Sequence, residues 1–434
     1  MNISPDWLVV AKSLPGNVTA IGVPAKVIKT YKTGWQLEKQ ENYVSKLAIL
    51  GGKSQFVDRP DIVSPRLPIL EQIAEPLREA LRTGRLTNHA RYVPEFEQEL
   101  VEKLEVPHVT AVGNATLGLI LALDALQQAG DVILPAYTYC ASAHALFWAH
   151  RQLKPVFVDI LPDIFTIDPI AVEAAITPRT TAILAVHIYG HPCEIDELEK
   201  IAQRHGISLI FDSAHAFGSH YKDKLIGRFG DAEIFSFHAT KVFPVGEGGC
   251  ITTGNGDFAK HLSIARKFGD PGDGNTQFPG INAKMQEFNA IVGLEMLKVV
   301  DQHITNRRNY ATNLIGRLNQ VPGIAFQTIR PYVFTNYQNF VILVDEKEFG
   351  LSRDQLFEAL VAENILARKY FYPPLHWHDA YAEYRDVSLP VTERIASQVL
   401  CLPFYSEMTR EMLDGLCTAI ERIHHHSPVL RNRW

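Results

Sequence analysis

The 434-residue chain has few cysteines, and their spacing follows no pattern. They are odd in number and no two of them form a C-x-x-C pair; the five are Cys140, Cys193, Cys250, Cys401 and Cys417. Scattered cysteines in odd number exclude a disulfide framework and a structural zinc site. We therefore expect a protein of the reducing cytoplasm that needs no metal ion.

The sequence also lacks an excess of basic residues and any long apolar run. Its 42 lysines and arginines are outnumbered by 48 aspartates and glutamates, so the net charge is −6. Because the chain has no net positive charge to attract polyanions, we expect neither nucleic acid nor an anionic membrane surface as a partner. No apolar stretch is long enough to cross a bilayer, and the N-terminus has no signal-peptide layout.

The N-terminal segment differs in character from the rest of the chain. Residues 9–18 and 22–29 resemble the last coils of hexapeptide-repeat acyltransferases. Such a β-helix needs about three coils to bury its core. We interpret the segment as an inert remnant of a fused or upstream sugar acyltransferase; a tail that matches by chance is the alternative. Residues 31–55 are polar and indicate a linker, and we place remnant and linker together at 1–45.

From residue 58 onward, helical and strand patterns alternate. Apolar spacing predicts helices over 117–128 and 194–205, and buried strands over 181–188 and 207–211. This alternation predicts an α/β fold whose mostly parallel sheet is covered by helices. No G-x-G-x-x-G follows the first strand, which argues against a nicotinamide-dependent dehydrogenase.

A second, smaller unit is predicted in the C-terminal third. A long helix over 294–310 would lead into a strand over 340–344 and a helix capped by Ser352. Two further helices are predicted over 392–400 and 409–423. We expect a large domain at 46–300 and a small α/β domain at 301–434.

One lysine lies where a surface charge is unexpected. Lys241 follows an apolar strand at 234–237, and a glycine-dense turn at 246–249 leads into a second strand. Burial lowers the pKa of a lysine, and only the neutral amine attacks a carbonyl group. On this stretch alone, an ordinary loop lysine remains the alternative.

The residues around Lys241 resemble a known family. Ser236-Phe237-His238-x-x-Lys241, followed by Gly246-Glu247-Gly248-Gly249, is similar to the DegT/DnrJ/StrS family of pyridoxal-phosphate (PLP) sugar aminotransferases. The resemblance extends from about residue 47 to the C-terminus. It implies PLP fold type I and PLP as cofactor, with Lys241 as the catalytic residue bonded to it and Ser236 on its phosphate.

Two more features follow strands, where open α/β sheets bind ligands. Gly113-Asn114-Ala115-Thr116 precedes an apolar helix, whose N-terminus favours an anion. The resemblance assigns the phosphate to Ala115 and Thr116, although Ala115 replaces the usual glycine; a helix cap is the alternative. Asp212 ends a strand, and the resemblance assigns it to the pyridine nitrogen and His215 to the 3′-oxygen. A capping aspartate is the alternative.

Further positions are assigned by the resemblance alone. It points to Tyr139 as the residue that stacks on the cofactor ring, with Tyr137 as the rival, and both could instead pack the loop. It implies that Asn282 reaches the phosphate in a partner subunit, and therefore a homodimer. Tyr372 and His376 are candidate substrate contacts, and structural packing is an equal alternative. Phe268 replaces the family's frequent histidine, so no role is assigned there.

The resemblance implies amino transfer from an amino acid, by family habit L-glutamate, to a keto sugar. That sugar is expected to be a nucleotide-linked 4-keto or 3-keto 6-deoxyhexose in amino-sugar biosynthesis. Lys241 would serve as general base and acid for the proton shift. A PLP sugar dehydratase is one alternative, but that branch has histidine in place of the lysine. A non-catalytic regulatory protein of the same fold is the other.

Overall fold

The computed structural model describes residues 18–21, 26–30, 46–58, 62–88, 90–149 and 151–433. Two short strands, β1 (Val18–Ile21) and β2 (Lys26–Thr30), pair antiparallel. The rest of the acyltransferase-like runs lies outside the described residues. No helix in the described part of the chain is long and apolar enough to cross a membrane.

A seven-stranded sheet forms the centre of the molecule. Across the sheet, its strands are β3 (His108–Val112), β11 (Gly249–Thr253), β10 (Ala232–Ser236), β7 (Ser208–Asp212), β6 (Thr180–Val186), β4 (Gly130–Pro135) and β5 (Leu153–Val158). Only β11 runs antiparallel to its neighbours; the other six share one direction. This arrangement confirms the predicted α/β fold with a mostly parallel sheet.

Helices cover both faces of this sheet. They are α1 (Leu70–Thr83), α2 (Tyr92–Leu104), α3 (Ala115–Ala125), α4 (Cys140–Trp148), α5 (Pro169–Ala175), α6 (Ile195–His205), α7 (Gly256–Ala265) and α8 (Glu287–Leu297). Successive strand residues alternate between two apolar clusters: Leu209 and Phe211 join one, and Ile210 joins the other. Burial on both faces explains why these strands read as continuous apolar runs.

A second, antiparallel sheet lies in the C-terminal part. It consists of β12 (Ile324–Phe326), β14 (Phe340–Val344) and β15 (Val399–Leu402). The helices around it are α9 (Val300–Leu318), α10 (Glu346–Phe349), α11 (Arg353–Ala362), α12 (Pro390–Gln398), α13 (Arg410–His425) and α14 (Ser427–Leu430). A small third sheet joins β8 (His220–Tyr221), β9 (Lys224–Leu225) and β13 (Val333–Phe334).

Two element predictions in this region were wrong. The single helix over 294–310 is two helices, because Val299 between α8 and α9 leaves the helical conformation with φ −120°. The helix predicted to reach residue 400 ends at Gln398, and β15 follows at once. Ser352 does cap α11, accepting a hydrogen bond from the Gln355 nitrogen.

Residues 46–58 pack against the C-terminal part of the chain. Leu47 and Phe56 are fully buried in its apolar cluster. The buried Glu363 carboxylate accepts hydrogen bonds from the backbone of Ala48 (2.9 Å) and Gln55 (2.7 Å). The linker predicted over 31–55 is therefore wrong for residues 46–55. We propose to assign 46–58 to the smaller domain, and the boundary at 300 stays a prediction.

Candidate active site

A cavity of about 660 Å³ lies at the carboxyl ends of the parallel strands, and residues of the C-terminal part of the chain form its other wall. Seven of the ten predicted site residues line it: Ala115, Thr116, Tyr139, Asp212, His215, Ser236 and Lys241. They come from positions spread over more than a hundred residues. The fold thus gathers them as the strand-end rule requires.

The loop between β10 and β11 presents Lys241 to the cavity. The loop is closed by backbone bonds from Ala239 N to Gly246 O (2.8 Å) and from Lys241 N to His238 O (2.9 Å), and Gly246 has φ +94°. Burial lowers the pKa of Lys241 to about 8, against the opposing charge of Asp212. A substantial fraction of this amine is therefore neutral near physiological pH.

Gln338, which sequence reasoning missed, holds the same loop from the C-terminal part. Its amide oxygen accepts from the Val242 nitrogen at 2.8 Å, and its amide nitrogen donates to the Thr240 carbonyl at 2.9 Å. These two bonds flank Lys241 on both sides. A glutamine nearly a hundred residues away has no local sequence signal that could reveal the contact.

Asp212 lies at the end of β7 with 6% of its surface exposed. Burial raises the pKa of its carboxyl group, and hydrogen bonds from Ser142 and Ala214 oppose that shift. The Ser142 hydroxyl donates at 2.7 Å and the Ala214 nitrogen at 3.1 Å. Turns rather than a helix follow Asp212, so it does not cap a helix.

His215 stands beside the cavity as a neutral imidazole. Its Nδ1 accepts a hydrogen bond from the Tyr189 nitrogen at 3.1 Å, so the ring proton is on Nε2. Burial lowers its pKa well below the usual value, and the charge of Lys241 adds to this. The ring lies nearly parallel to that of Phe371, with centroids 6.3 Å apart. A neutral Nε2–H group can donate to an oxygen of a ligand.

The start of α3 has the geometry of a helix N-terminus that can bind an anion. Asn114 is the cap, accepting from the Leu117 nitrogen at 2.9 Å, so the capping alternative is correct for that residue. The amides of Ala115 and Thr116, in the first turn, have no partner within the helix. A Cβ atom at Gly249 would lie 3.0 Å from the Ala115 nitrogen, so a glycine lets the helix start pack against β11.

The two tyrosine candidates are separated by the structure. Tyr139 is exposed at the cavity wall, and its ring centroid lies 6.4 Å from that of Phe371. Tyr137 is fully buried, and its hydroxyl lies 2.7 Å from the Tyr189 hydroxyl. Tyr137 is not among the residues that line the cavity, so only Tyr139 is placed to contact a ring bound there.

Three predicted residues lie outside the cavity. Asn282 is exposed, and its side-chain oxygen accepts from the Lys284 ammonium at 2.6 Å. His376 is fully buried, with Nε2 3.4 Å from the Glu393 carboxylate, as the packing alternative expects. The Arg353 guanidinium carbon lies 4.7 Å from the centroid of the Tyr372 ring. The nearby residues that do line the cavity are Tyr370 and Phe371.

Cations beside the cavity differ in their pairing. Arg353 and Lys369 both contact the Asp354 carboxylate at 2.6 Å. Arg368 lines the cavity and is exposed, and no carboxylate of the described residues pairs with it. Its backbone is fixed to Cys401 by bonds of 2.9 and 2.7 Å. Nothing in the local sequence distinguishes Arg368 from its paired neighbours.

The site residues fit a bound PLP. Amides at a helix start and the Ser236 hydroxyl suit a phosphate, and Asp212 and Lys241 suit a ring nitrogen and an aldehyde. The fit follows from the chemistry of these groups, which line one cavity.

Comparison with known proteins agrees with this geometry. Residues 68–421 match the DegT/DnrJ/EryC1/StrS aminotransferase family. A dTDP-4-amino-4,6-dideoxy-D-glucose transaminase of Shigella dysenteriae is 38% identical over 363 residues, covering 83% of this chain and 98% of that protein. GDP-perosamine synthase of Caulobacter vibrioides is 32% identical over 373 residues, covering 84% and 98%.

A solved structure supports the fold prediction. DesI, crystallised in the presence of its TDP-sugar product, superposes with a TM-score of 0.82 at 36% identity, covering 89% of this chain and 99% of that one. The likeness confirms the predicted PLP fold type I. This chain is a member of the DegT/DnrJ/EryC1/StrS aminotransferase family.

Proposed function

We propose that the protein uses PLP to transfer an amino group from an amino acid to a nucleotide-linked keto sugar in amino-sugar biosynthesis. The observation that carries the proposal is the pairing of Lys241, whose pKa is lowered to about 8, with the buried Asp212 in one cavity. The names of its relatives, a dTDP-sugar transaminase and GDP-perosamine synthase, support a 4-keto 6-deoxyhexose as acceptor.

Each site residue has a proposed part in holding the cofactor. The amides of Ala115 and Thr116, with the Ser236 hydroxyl, bind the phosphate. Asp212 accepts from the protonated pyridine nitrogen, and the Nε2–H group of His215 donates to the 3′-oxygen. The Tyr139 ring covers one face and excludes water from it. When bound, PLP supplies the aldehyde and the electron-accepting ring.

Lys241 performs the proton transfers. In its neutral form this amine would hold the cofactor aldehyde, and as a free amine it would take a proton from the bound substrate and return it. A pKa near 8 suits both directions, because the amine and the ammonium are both populated at working pH. The lysine itself argues against the dehydratase alternative.

Arg368 supports a carboxylate-bearing donor such as L-glutamate. A guanidinium that no carboxylate of the described residues pairs with, at the wall of the cavity, is suited to bind a carboxylate in bidentate fashion. We assign Arg368 to the carboxylate of the amino donor. The diphosphate of the sugar nucleotide is the other anion that it could contact.

We also propose a cytoplasmic homodimer. Asn282 does not line the cavity of its own chain, and exposed apolar side chains on α1 (Leu70, 65% and Leu81, 64%) favour a covering partner. All five cysteines are free, which suits a reducing compartment.

The absorption spectrum of the protein with PLP tests the function. We expect a visible band from the lysine-bound cofactor, and L-glutamate should convert it to a near-ultraviolet band. Lys241→Ala is the control and should show no lysine-bound band. A wild-type protein without the visible band would refute the Lys241 assignment and favour the non-catalytic alternative. A band that no amino acid alters would refute amino transfer.

A further inference from the structure

A chain of two buried hydroxyl groups ends on the carboxylate of Asp212. The Ser142 hydroxyl donates to Asp212 Oδ2 at 2.7 Å, and the Thr138 hydroxyl lies 3.1 Å from Ser142 Oγ. Thr138, Ser142 and Asp212 are 2%, 0% and 6% exposed. Thr138 precedes α4 and Ser142 lies in its first turn, so one helical turn brings the two hydroxyls together.

The direction of these hydrogen bonds follows from counting protons. A serine hydroxyl has one proton, and Ser142 gives it to the carboxylate. The bond between the two hydroxyls therefore takes its proton from Thr138. Both donors point toward Asp212, and hydrogen bonds aligned in this way strengthen one another.

The surroundings of Asp212 make these two hydroxyl groups important for its ionisation. A positive charge on Lys241 or His187 favours the ionised form of Asp212, whereas its burial favours the uncharged acid. Lys241 must lose its proton to react, and the carboxylate then loses a counter-charge. The hydroxyl bonds do not depend on that proton, so they persist when Lys241 is neutral.

We propose that Thr138 and Ser142 are positioning residues that keep Asp212 ionised and oriented toward the cofactor nitrogen. The proposal rests on the proposed function only in taking PLP as the ligand. It adds that the hydroxyl at position 142, rather than Lys241 alone, sets the acid limit of PLP binding.

The test is a PLP titration of the wild type and of Ser142→Ala over a range of pH, without an amino donor. Loss of the hydroxyl bond should move the acid limit of PLP binding upward by about one pH unit. At a pH below that limit, the dissociation constant for PLP should be about tenfold higher in Ser142→Ala than in the wild type. Ser142→Thr, which keeps a hydroxyl, should restore much of the difference.

Ser213→Ala is the matched control. Ser213 is also fully buried and donates to a buried carboxylate, Glu233, at 2.6 Å, but it does not touch Asp212 through its hydroxyl. We expect it to lower thermal stability without moving the acid limit. An unchanged limit in Ser142→Ala, or an equal movement in Ser213→Ala, would overturn the proposal.

Thr138→Val provides a second test if Ser142→Ala does not fold. It removes only the outer hydroxyl and should move the limit in the same direction by a smaller amount; no movement would overturn the chain. If the wild type binds PLP but Ser142→Ala and Thr138→Val have the same acid limit as the wild type, this inference fails and the proposed function stands. If the wild type binds no PLP at all, both fail.

Discussion

Lys241 is the residue whose chemistry depends most on its surroundings. Its pKa is lowered to about 8, so it is mainly protonated below that pH and mainly neutral above it. The rate at which the protein captures PLP should therefore rise about tenfold per pH unit below pH 8 and level off above it. Stopped-flow absorbance measures this rate. A rise that continues toward pH 10, as for an ordinary lysine, would contradict the lowered pKa.

Arg368 gives a second prediction at this scale. Arg368→Ala should raise the KM for L-glutamate at least about tenfold, because a charged hydrogen-bonded pair is lost. Glutamate titration of the PLP-loaded protein measures this KM in the first half-reaction. Lys369→Ala is the control, since Lys369 pairs with Asp354 and does not line the cavity. If only the KM for the sugar nucleotide rises, Arg368 binds the diphosphate instead.

Most of the predicted site residues meet at one cavity, for a physical reason. Strand ends and a helix start are visible in sequence, and ligand-binding residues concentrate there. Ser142 and Gln338 could not be found, because they act on groups 70 and 96 positions away. Tyr372 and His376 were assigned from the resemblance, and the structure places Tyr370 and Phe371 at the cavity instead.

At the scale of elements, the parallel strands were predictable and the breaks between helices were not. β6 and β7 are apolar on both faces, so their patterns are unambiguous. The break at Val299 has no glycine or proline to mark it, and β15 begins directly after α12. In both places tertiary packing decides the backbone conformation, which periodicity alone does not report.

The bridge between Gln338 and the loop of Lys241 is the prediction that belongs to this scale. Gln338→Leu leaves the Val242 nitrogen and the Thr240 carbonyl without their partners, which should cost about 2 kcal/mol of unfolding free energy. We also expect slower PLP capture, because Lys241 lies between these two bonds. Urea unfolding and stopped-flow absorbance measure the two effects.

Gln302→Leu serves as the control for this change. Gln302 is an exposed glutamine of α9, bonded to Asn306 at 2.8 Å, and its replacement should alter stability by less than about 0.5 kcal/mol. If Gln338→Leu loses stability but captures PLP at the normal rate, the bridge supports the fold without positioning Lys241.

For the whole molecule, the sequence pattern predicts the architecture but not which distant segments meet. Residues 46–55 were predicted as the end of a linker, yet Glu363, more than 300 positions away, binds their backbone. Contacts of this separation leave no local signature. The same limit applies to contacts between subunits, for which Asn282 is the candidate, because it is exposed and does not line its own cavity.

A mixing experiment tests whether two subunits share each site. Lys241→Ala and Asn282→Ala should each be impaired alone, with Asn282→Ala weakening PLP binding. A mixed dimer has one site with both native residues, contributed by different subunits. Random mixing should therefore restore about a quarter of wild-type activity, since half of the dimers are mixed and each has one intact site. Mixing Lys241→Ala with Asp212→Ala is the control and should restore nothing, because both residues serve the cavity of their own chain. Equal results for the two mixtures would show that Asn282 does not act across an interface.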